Sequence, residues 1–276
     1  MSHQIRGRKD HYLPQGYLRG FIDPARAKEN KPLWWFQVPY RKWTQCSTAE
    51  VGFIRGFYDY SAQVDPCIES ADQAFAELER YFTLILKELL TCQFSNWLDR
   101  REFLLRYMQM IRVRSPLYFE QKHAVAKTTQ AFVIEEISED RKKLKVRPTQ
   151  LPDSFIKNRS LTEMKEEMQK GADWLNNFDW ALRYCDSPQD SFLTSDGPFV
   201  VTGPLEGQNQ QVSWEALRHP DTLFYFPLCW QACIVGSPRL FEVKTDKAHP
   251  RFLQNVRNMY REKAKEYLIS AIRLDD

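Results

Sequence analysis

The spacing of apolar residues changes about two thirds of the way along the chain, and this change limits the fold more than any other feature. At 68–91 and 97–113 apolar residues recur every three or four positions, which is typical of amphipathic helices. Beyond residue 180 they form short β-branched or aromatic runs separated by turn residues, which is typical of antiparallel strands. Each half alone would leave an apolar face uncovered. We therefore predict a single α+β domain over 1–276, with a helical N-terminal and central part packed on an antiparallel sheet formed mainly by the C-terminal third.

Local signals place the individual elements. Pro14 suits the first turn of a helix, and Gly16 and Gly20 would let another backbone approach that helix closely. Ser160 and Glu163 form the pattern of a capping box. The predicted helices are 14–21, 68–91, 97–113, 117–136, 161–176 and 250–271. The predicted strands are 33–38, 180–184, 192–194, 198–201, 222–227 and 232–235, with a polar turn after residue 38, a strand and loop at 49–60, and a flexible surface connection at 138–147.

Composition indicates one large core in a reducing compartment. Hydrophobic residues make up 43% of the 276 residues and aromatic residues 14%, which is enough apolar surface to offset the ordering entropy of folding. The six cysteines are spread widely without a CxxC pair, so we expect buried thiols. The first twenty residues hold no apolar stretch of signal-peptide length, and no apolar run reaches the roughly 20 residues of a membrane span. We expect a cytoplasmic protein that does not enter a membrane.

Positive charge is concentrated near the N-terminus. The net charge of +3 is too small by itself to indicate nucleic-acid binding. Residues 1–60 hold ten Lys or Arg against five Asp or Glu, so this segment carries +5. A charge run of this kind is more often a solvated face than a binding surface.

Two short polar segments could carry chemistry. His11 lies in a basic segment before the first predicted helix, where an imidazole can act as acid, base or ligand near neutral pH, although a lone histidine more often bonds a neighbouring carbonyl. Asp196 lies between two apolar strand ends in a Ser-Asp-Gly-Pro sequence, which is first of all a turn. Arg106, Arg112 and Arg114 lie on or just after an apolar helix and must reach water, an acid or an anionic ligand.

Common catalytic and cofactor motifs are missing from the sequence. It contains no Gly-rich phosphate loop, no GxSxG and no HExxH, so no cofactor is evident. Cys229 and Cys233 have the wrong spacing for a zinc knuckle with His219 and His249.

The blocks around these residues resemble the DUF4238 family, a family of unknown function found mainly in bacteria. Its opening pattern of His-Tyr-Val-Pro-Gln, Tyr-Leu, Arg and Phe is matched by His11-Tyr12-Leu13-Pro14-Gln15, Tyr17-Leu18, Arg19 and Phe21. Similar blocks cover nearly the whole chain: an aromatic strand at 33–36, Phe57-Tyr58, Arg114-Ser115-Pro116, Thr194-Ser195-Asp196-Gly197-Pro198, Phe226-Pro227-Leu228 and Asn258. Two positions depart from the pattern, because Gly197 replaces an expected Asn and Cys229 stands where a small polar residue is usual.

The resemblance implies that polar residues from distant blocks converge on one site. The candidate catalytic residues are therefore His11, Asp196 and Arg114, and the candidate substrate-binding residues are Gln15, Arg19, Thr194, Ser195 and Asn258. We hypothesise a hydrolase, a nuclease acting on RNA or DNA. His11 would be its general base or a ligand, Asp196 would orient His11 or hold a divalent metal, and Arg114 with Arg19 would stabilise phosphate charge.

Other functions fit the same residues. A non-catalytic binding or sensing module would capture a nucleotide or a small anionic ligand in this polar cluster without consuming it. Family-level association also suggests a component of a bacterial defence or toxin system that binds a partner protein. The sequence leaves the enzyme and the binding module both open.

Overall fold

The computed structural model describes residues 9–59, 71–128, 131–137, 144–149, 151–170, 172–203, 218–239 and 244–274. Its helices are α1 Gln15–Arg19, α2 Ala71–Thr91, α3 Arg101–Arg114, α4 Pro116–Thr128, α5 Asp153–Gln169 and α6 Pro250–Lys263. Its strands are β1 Lys9–His11, β2 Leu33–Gln37, β3 Lys42–Cys46, β4 Phe53–Arg55, β5 Ala131–Ile137, β6 Leu144–Thr149, β7 Asp179–Tyr184, β8 Thr194–Ser195, β9 Val200–Thr202, β10 Leu223–Cys229, β11 Ala232–Ser237, β12 Thr245–Lys247 and β13 Tyr267–Ser270. The predicted α+β class is confirmed.

Two sheets dominate the β part of the fold. The first has the strand order β12-β7-β11-β10-β9, and all five strands come from the C-terminal part of the chain. Its neighbours are antiparallel except β12 and β7, which are parallel. The second sheet has the order β3-β2-β13-β8. It therefore joins two N-terminal strands to two C-terminal ones, while β1 pairs with β4 and β5 with β6 in two separate two-stranded antiparallel sheets.

Helix α1 is short but lies in the core. Tyr17 and Leu18 are fully buried. The Tyr17 ring stacks on Phe226 of β10 at 5.6 Å between centroids, and its hydroxyl donates to the Pro227 carbonyl at 2.8 Å. These contacts attach α1 to the five-stranded sheet.

The two glycines of the α1 region allow close packing, as predicted, and their neighbours include side chains of α2. A Cβ added to Gly16 would lie 2.6 Å from Thr83 Oγ1. A Cβ added to Gly20 would lie 3.1 Å from Leu86 Cδ2. Both positions therefore need a residue without a side chain for α1 and α2 to pack this closely.

The region after α4 differs from its prediction. The predicted helix 117–136 ends at Thr128, and Ala131–Ile137 is strand β5. This strand pairs antiparallel with Leu144–Thr149, so the end of the predicted surface connection 138–147 is also a strand, while 138–143 lie outside the described residues. Cross-strand pairing and β-branched residues overrule the weak helical pattern here.

The C-terminal helix is shorter than predicted. The predicted helix 250–271 ends at Lys263, and Tyr267–Ser270 forms β13 between β2 and β8. All four residues of this strand are buried. A strand covered on both faces has a continuous apolar run, which spacing alone cannot distinguish from a helix.

Two further predictions are wrong. The helix predicted at 161–176 runs instead over Asp153–Gln169, so Ser160 is an interior residue whose Oγ donates to the Ile156 carbonyl at 2.8 Å rather than a cap. The polar turn predicted after residue 38 contains strand Lys42–Cys46, which pairs with β2. In both cases the side chains that looked like end or turn signals are accommodated inside a regular element.

The cysteine prediction holds in part. Four thiols are buried: Cys46, Cys185, Cys229 and Cys233. Cys92 is exposed, contrary to expectation, and Cys67 lies outside the described residues.

Candidate functional site

Arg114 lies in the core at the end of α3, with 1% of its surface exposed. Its Nη1 donates to the Glu79 carboxylate and its Nη2 to the main-chain carbonyl of His11. Its Nε donates to the Tyr58 hydroxyl at 3.2 Å. The guanidinium also lies 4.8 Å from the centroid of Phe75. Arg114 thus connects α3 with α2, β1 and the segment after β4, and these contacts occupy donors that an anionic ligand would need.

His11 contacts Arg114 through its main chain, while its imidazole has different neighbours. The ring packs on Phe53 with 5.6 Å between centroids. Its Nε2 is buried and has no hydrogen-bond partner among the residues that the structure describes. Burial, followed by the charges of Lys9 and Arg114, lowers the pKa of His11 below its ordinary value of 6.5. The imidazole is therefore neutral at pH 7 and can accept a proton.

Thr194 and Ser195 form β8 and support the turn that follows it. Thr194 Oγ1 and the Tyr17 hydroxyl share a hydrogen bond of 2.9 Å. Ser195 Oγ accepts a hydrogen bond from the Gly197 N–H at 3.1 Å. Because both side chains are fully buried, these bonds fix the turn against α1.

Asp196 lies close to a buried pair of tyrosines. Its Oδ1 accepts a hydrogen bond from the Lys265 N–H at 3.3 Å. Burial above all, with a contribution from the charge of Glu266, raises the pKa of Asp196 to about 6. The hydroxyls of Tyr12 and Tyr267 are hydrogen-bonded to each other, and burial above all, with a contribution from the Asp196 charge, raises the pKa of both.

The remaining predicted residues have three separate environments. Gln15 Oε1 accepts from Thr48 Oγ1 at 3.4 Å. Asn258 is exposed on α6, where its Oδ1 accepts from Gln254 at 2.8 Å. Arg19 is exposed at the end of α1.

The predicted site residues thus fall into groups. The structure brings His11 and Arg114 together, and it places Thr194, Ser195 and Asp196 in one turn. In the described part of the chain, no side-chain hydrogen bond links the first group to the second. In particular, the carboxylate of Asp196 does not orient the imidazole of His11.

An open groove lies where α1 meets α2, and we call it the Arg19 groove. Its volume is about 610 Å³. Two cations line it, Arg19 from α1 and Lys87 from α2. Its other lining residues include Glu29, Leu86, Leu90, Trp230 and Gln231. The volume falls in the range of sites for small organic ligands, which is roughly 300 to 1,000 Å³.

The Arg19 groove carries net positive charge. Within the described ranges, neither Arg19 nor Lys87 has an ion pair or a side-chain hydrogen bond. Glu29 is the one carboxylate among the described lining residues, and it forms an ion pair with Arg26 at 2.7 Å. Because Arg26 already neutralises Glu29, an anion entering the groove would meet two unbalanced cations beside apolar surface.

A family model described as "Protein of unknown function (DUF4238)" matches residues 9–271. The chain belongs to this family. No curated protein and no solved structure matches the chain. The resemblance inferred from the short sequence blocks is therefore confirmed over nearly the whole length.

The two departures from the DUF4238 pattern have clear structural settings. Cys229 is fully buried at the end of β10, and burial raises the pKa of its thiol to about 12. It is therefore a protonated core residue. Gly197 has open space around it, because an added Cβ would meet nothing within 4 Å.

Sequence reasoning missed Lys87 and Trp230 as lining residues of this DUF4238 chain. Lys87 follows Leu86 and precedes Leu90 on one face of α2, so a cation beside an apolar stripe was visible in the sequence. The sequence could not show that α1 and Arg19 lie across from that face.

The described residues offer neither a metal-binding cluster nor a membrane-spanning helix. No three His, Cys, Asp or Glu side chains lie together there in a way that could hold a metal ion. None of the helices described is long and apolar enough to cross a bilayer.

Proposed function

We propose that this protein binds a small organic anion of the nucleotide class in the Arg19 groove and does not consume it. One observation carries the proposal: Arg19 and Lys87 come from different helices, line the same groove, and have no acidic partner among the described residues. Each cation can donate charge-assisted hydrogen bonds to phosphate oxygens.

The apolar part of the groove favours an organic anion over a bare inorganic one. Leu86, Leu90 and Trp230 line it together with the two cations. Burying the apolar or aromatic part of a ligand against these side chains adds stabilisation that inorganic phosphate cannot gain. The polar groups of Gln231, Ser47 and Thr48 provide further donors and acceptors for orientation.

The test is to measure ATP binding by isothermal titration calorimetry at low ionic strength. We expect ATP to bind and to raise the melting temperature, and we expect Arg19→Ala and Lys87→Ala each to weaken binding about 10-fold, the loss of one charge-assisted hydrogen bond. Adenosine should bind far more weakly than ATP because it lacks the charges.

Arg80→Ala is the matched control, because Arg80 is also an exposed cation on α2 but does not line the groove. It should leave ATP affinity within about 2-fold of the unchanged protein. An equal loss in Arg80→Ala and Lys87→Ala, or no ATP binding at all, would refute the proposal.

Phosphodiester hydrolysis is the second candidate, and the state of His11 favours it. The His11 imidazole is half-buried, its Nε2 has no hydrogen-bond partner among the described residues, and its lowered pKa leaves it in the neutral form that a general base needs at pH 7. Arg114 is less suited to hold phosphate, because Glu79, Tyr58 and the His11 carbonyl already accept from it.

The hydrolytic candidate is tested by incubating the purified protein with RNA and with DNA, each with and without Mg²⁺. Cleavage that is lost in His11→Gln and reduced in Asp196→Asn would support it. If the nucleic acid stays intact, or if the variants cleave as fast as the unchanged protein, this candidate fails and the binding proposal is unaffected.

A further inference from the structure

A second pocket is lined by residues of β4, the loop after it, α4 and α5. We call it the His123 pocket, and its volume is about 440 Å³. Its basic lining residues are Arg55, His123, Lys127 and Lys157. Its apolar lining residues include Ile54, Phe57 and Phe119. It shares no lining residue with the Arg19 groove.

His123 is held in place by packing rather than by hydrogen bonds. Its ring stacks on Phe119 with 5.5 Å between centroids and 25° between planes. Its Nδ1 is buried and has no hydrogen-bond partner among the described residues. A buried polar atom without a partner costs free energy, so His123 lines the pocket with one hydrogen-bonding group unused.

The two lysines approach the pocket from different helices. Lys157 of α5 donates to the Gly56 carbonyl at 3.1 Å, which fixes its ammonium group beside the loop after β4. Lys127 of α4 has neither an ion pair nor a side-chain hydrogen bond in the described part of the chain. An ammonium group has three donors, so both lysines can donate to a ligand without losing their present contacts.

The charge balance of the pocket favours an anion. Asp153 is the one carboxylate among its described lining residues, and it is exposed at the start of α5. Lys127 and Lys157 already carry two positive charges against this single negative charge. A phosphate has three terminal oxygens and can accept hydrogen bonds from donors on several elements at once. A carboxylate has two oxygens and can do so less well.

We infer that the His123 pocket binds a phosphate monoester that carries a small apolar or aromatic group. The phosphate would accept hydrogen bonds from the two lysines and from a ring N–H of His123. The apolar group would pack on Phe57 and Phe119. This site is independent of the proposed nucleotide binding in the Arg19 groove, because the two share no lining residue.

The probe for this site is phenyl phosphate, titrated into the full-length protein by calorimetry at low ionic strength, with inorganic phosphate as a second titrant. We expect phenyl phosphate to bind more tightly than inorganic phosphate. Lys127→Ala should weaken its binding about 5-fold or more, and His123→Ala should weaken it further. Because His123→Ala also removes the ring contact with Phe119, the melting temperature of this variant is measured as well. Lys127→Ala changes an exposed position and is the variant expected to keep the fold.

Lys122→Ala is the matched control, because Lys122 is on the same helix but does not line the pocket. It should leave the affinity within about 2-fold. Arg19→Ala should likewise leave phenyl phosphate binding unchanged. The inference is overturned if no binding is detected at about 10 mM phenyl phosphate, a concentration ten times a weak Kd of about 1 mM. It is also overturned if Lys122→Ala weakens phenyl phosphate binding as much as Lys127→Ala does.

Discussion

The buried guanidinium of Arg114 donates a hydrogen bond to the main-chain carbonyl of His11, so these two residues are joined through the backbone rather than through their functional groups. Any side chain at position 11 would leave this bond in place. Arg114 therefore stabilises the entry of the chain into α1 whatever the chemistry of His11.

Replacing Arg114 should destabilise the fold. Arg114→Met keeps an unbranched apolar stem but leaves the Tyr58 hydroxyl and the His11 carbonyl with one partner fewer, and it removes the cation that Arg114 places on Glu79. We expect a loss of about 3 kcal/mol in the free energy of unfolding, measured by urea denaturation. Arg106→Ala, at an exposed position of the same helix, should cost less than about 0.5 kcal/mol. Similar losses in both variants would contradict a stabilising role for Arg114.

The Tyr12 and Tyr267 hydroxyls should show energetic coupling. They are hydrogen-bonded to each other in the core, so either Tyr→Phe change leaves the other hydroxyl short of a partner. We expect each single variant to lose about 1 to 2 kcal/mol of stability and the double variant to lose less than their sum. A double-mutant cycle by urea denaturation measures this coupling. Strictly additive losses would show that the bond contributes nothing.

The α1 region illustrates what sequence reasoning could predict. A proline at the helix start and two glycines one turn apart are local signals, and both the helix and its close packing are confirmed. Tyr267–Ser270 illustrates the opposite case. Its neighbours β2 and β8 are distant in sequence, and the pairing that makes it a strand is not visible in its own residues.

The same distinction applies to the candidate site. Arg19 was found because it belongs to a short block that also holds His11 and Gln15. The burial of Arg114 depends on Glu79 and Tyr58, which come from other parts of the chain, so its contacts could not be predicted from α3 alone. Site residues that act through contacts distant in sequence need the fold before their roles can be assigned.

Asp196 should make stability depend on pH in the acidic range. Its folded pKa is about 6 against an ordinary value of 3.8, chiefly because it is buried. The folded state therefore holds the proton of Asp196 more tightly than the unfolded state does. The stabilisation that protonated Asp196 contributes is fully present below pH 3.8 and is lost as pH rises through about 6.

Asp196→Asn should remove this pH dependence. The amide oxygen can still accept from the Lys265 N–H, but no charge has to be buried. We expect the variant to be more stable than the unchanged protein by about 2 kcal/mol at pH 7 and equally stable near pH 4, measured by urea denaturation across that range. Asp99→Asn, at an exposed position, should show no such difference. An Asp196→Asn variant that is less stable at pH 7 would show that the carboxylate is stabilising where it lies.

Gly236 and Gly197 should respond in opposite ways to the same substitution. On β11 a Cβ at Gly236 would lie 2.4 Å from Cζ3 of Trp180, whose Nε1 donates to the Leu175 carbonyl at 2.8 Å and so resists displacement. Gly236→Ala should therefore lower the free energy of unfolding by about 2 to 3 kcal/mol through overpacking, with a blue or red shift of Trp fluorescence as the indole moves. Gly197→Ala adds the same methyl group where nothing lies within 4 Å, and it should change stability by less than about 0.5 kcal/mol. If Gly236→Ala proves as mild as Gly197→Ala, the packing of Trp180 on that strand is looser than the distances indicate.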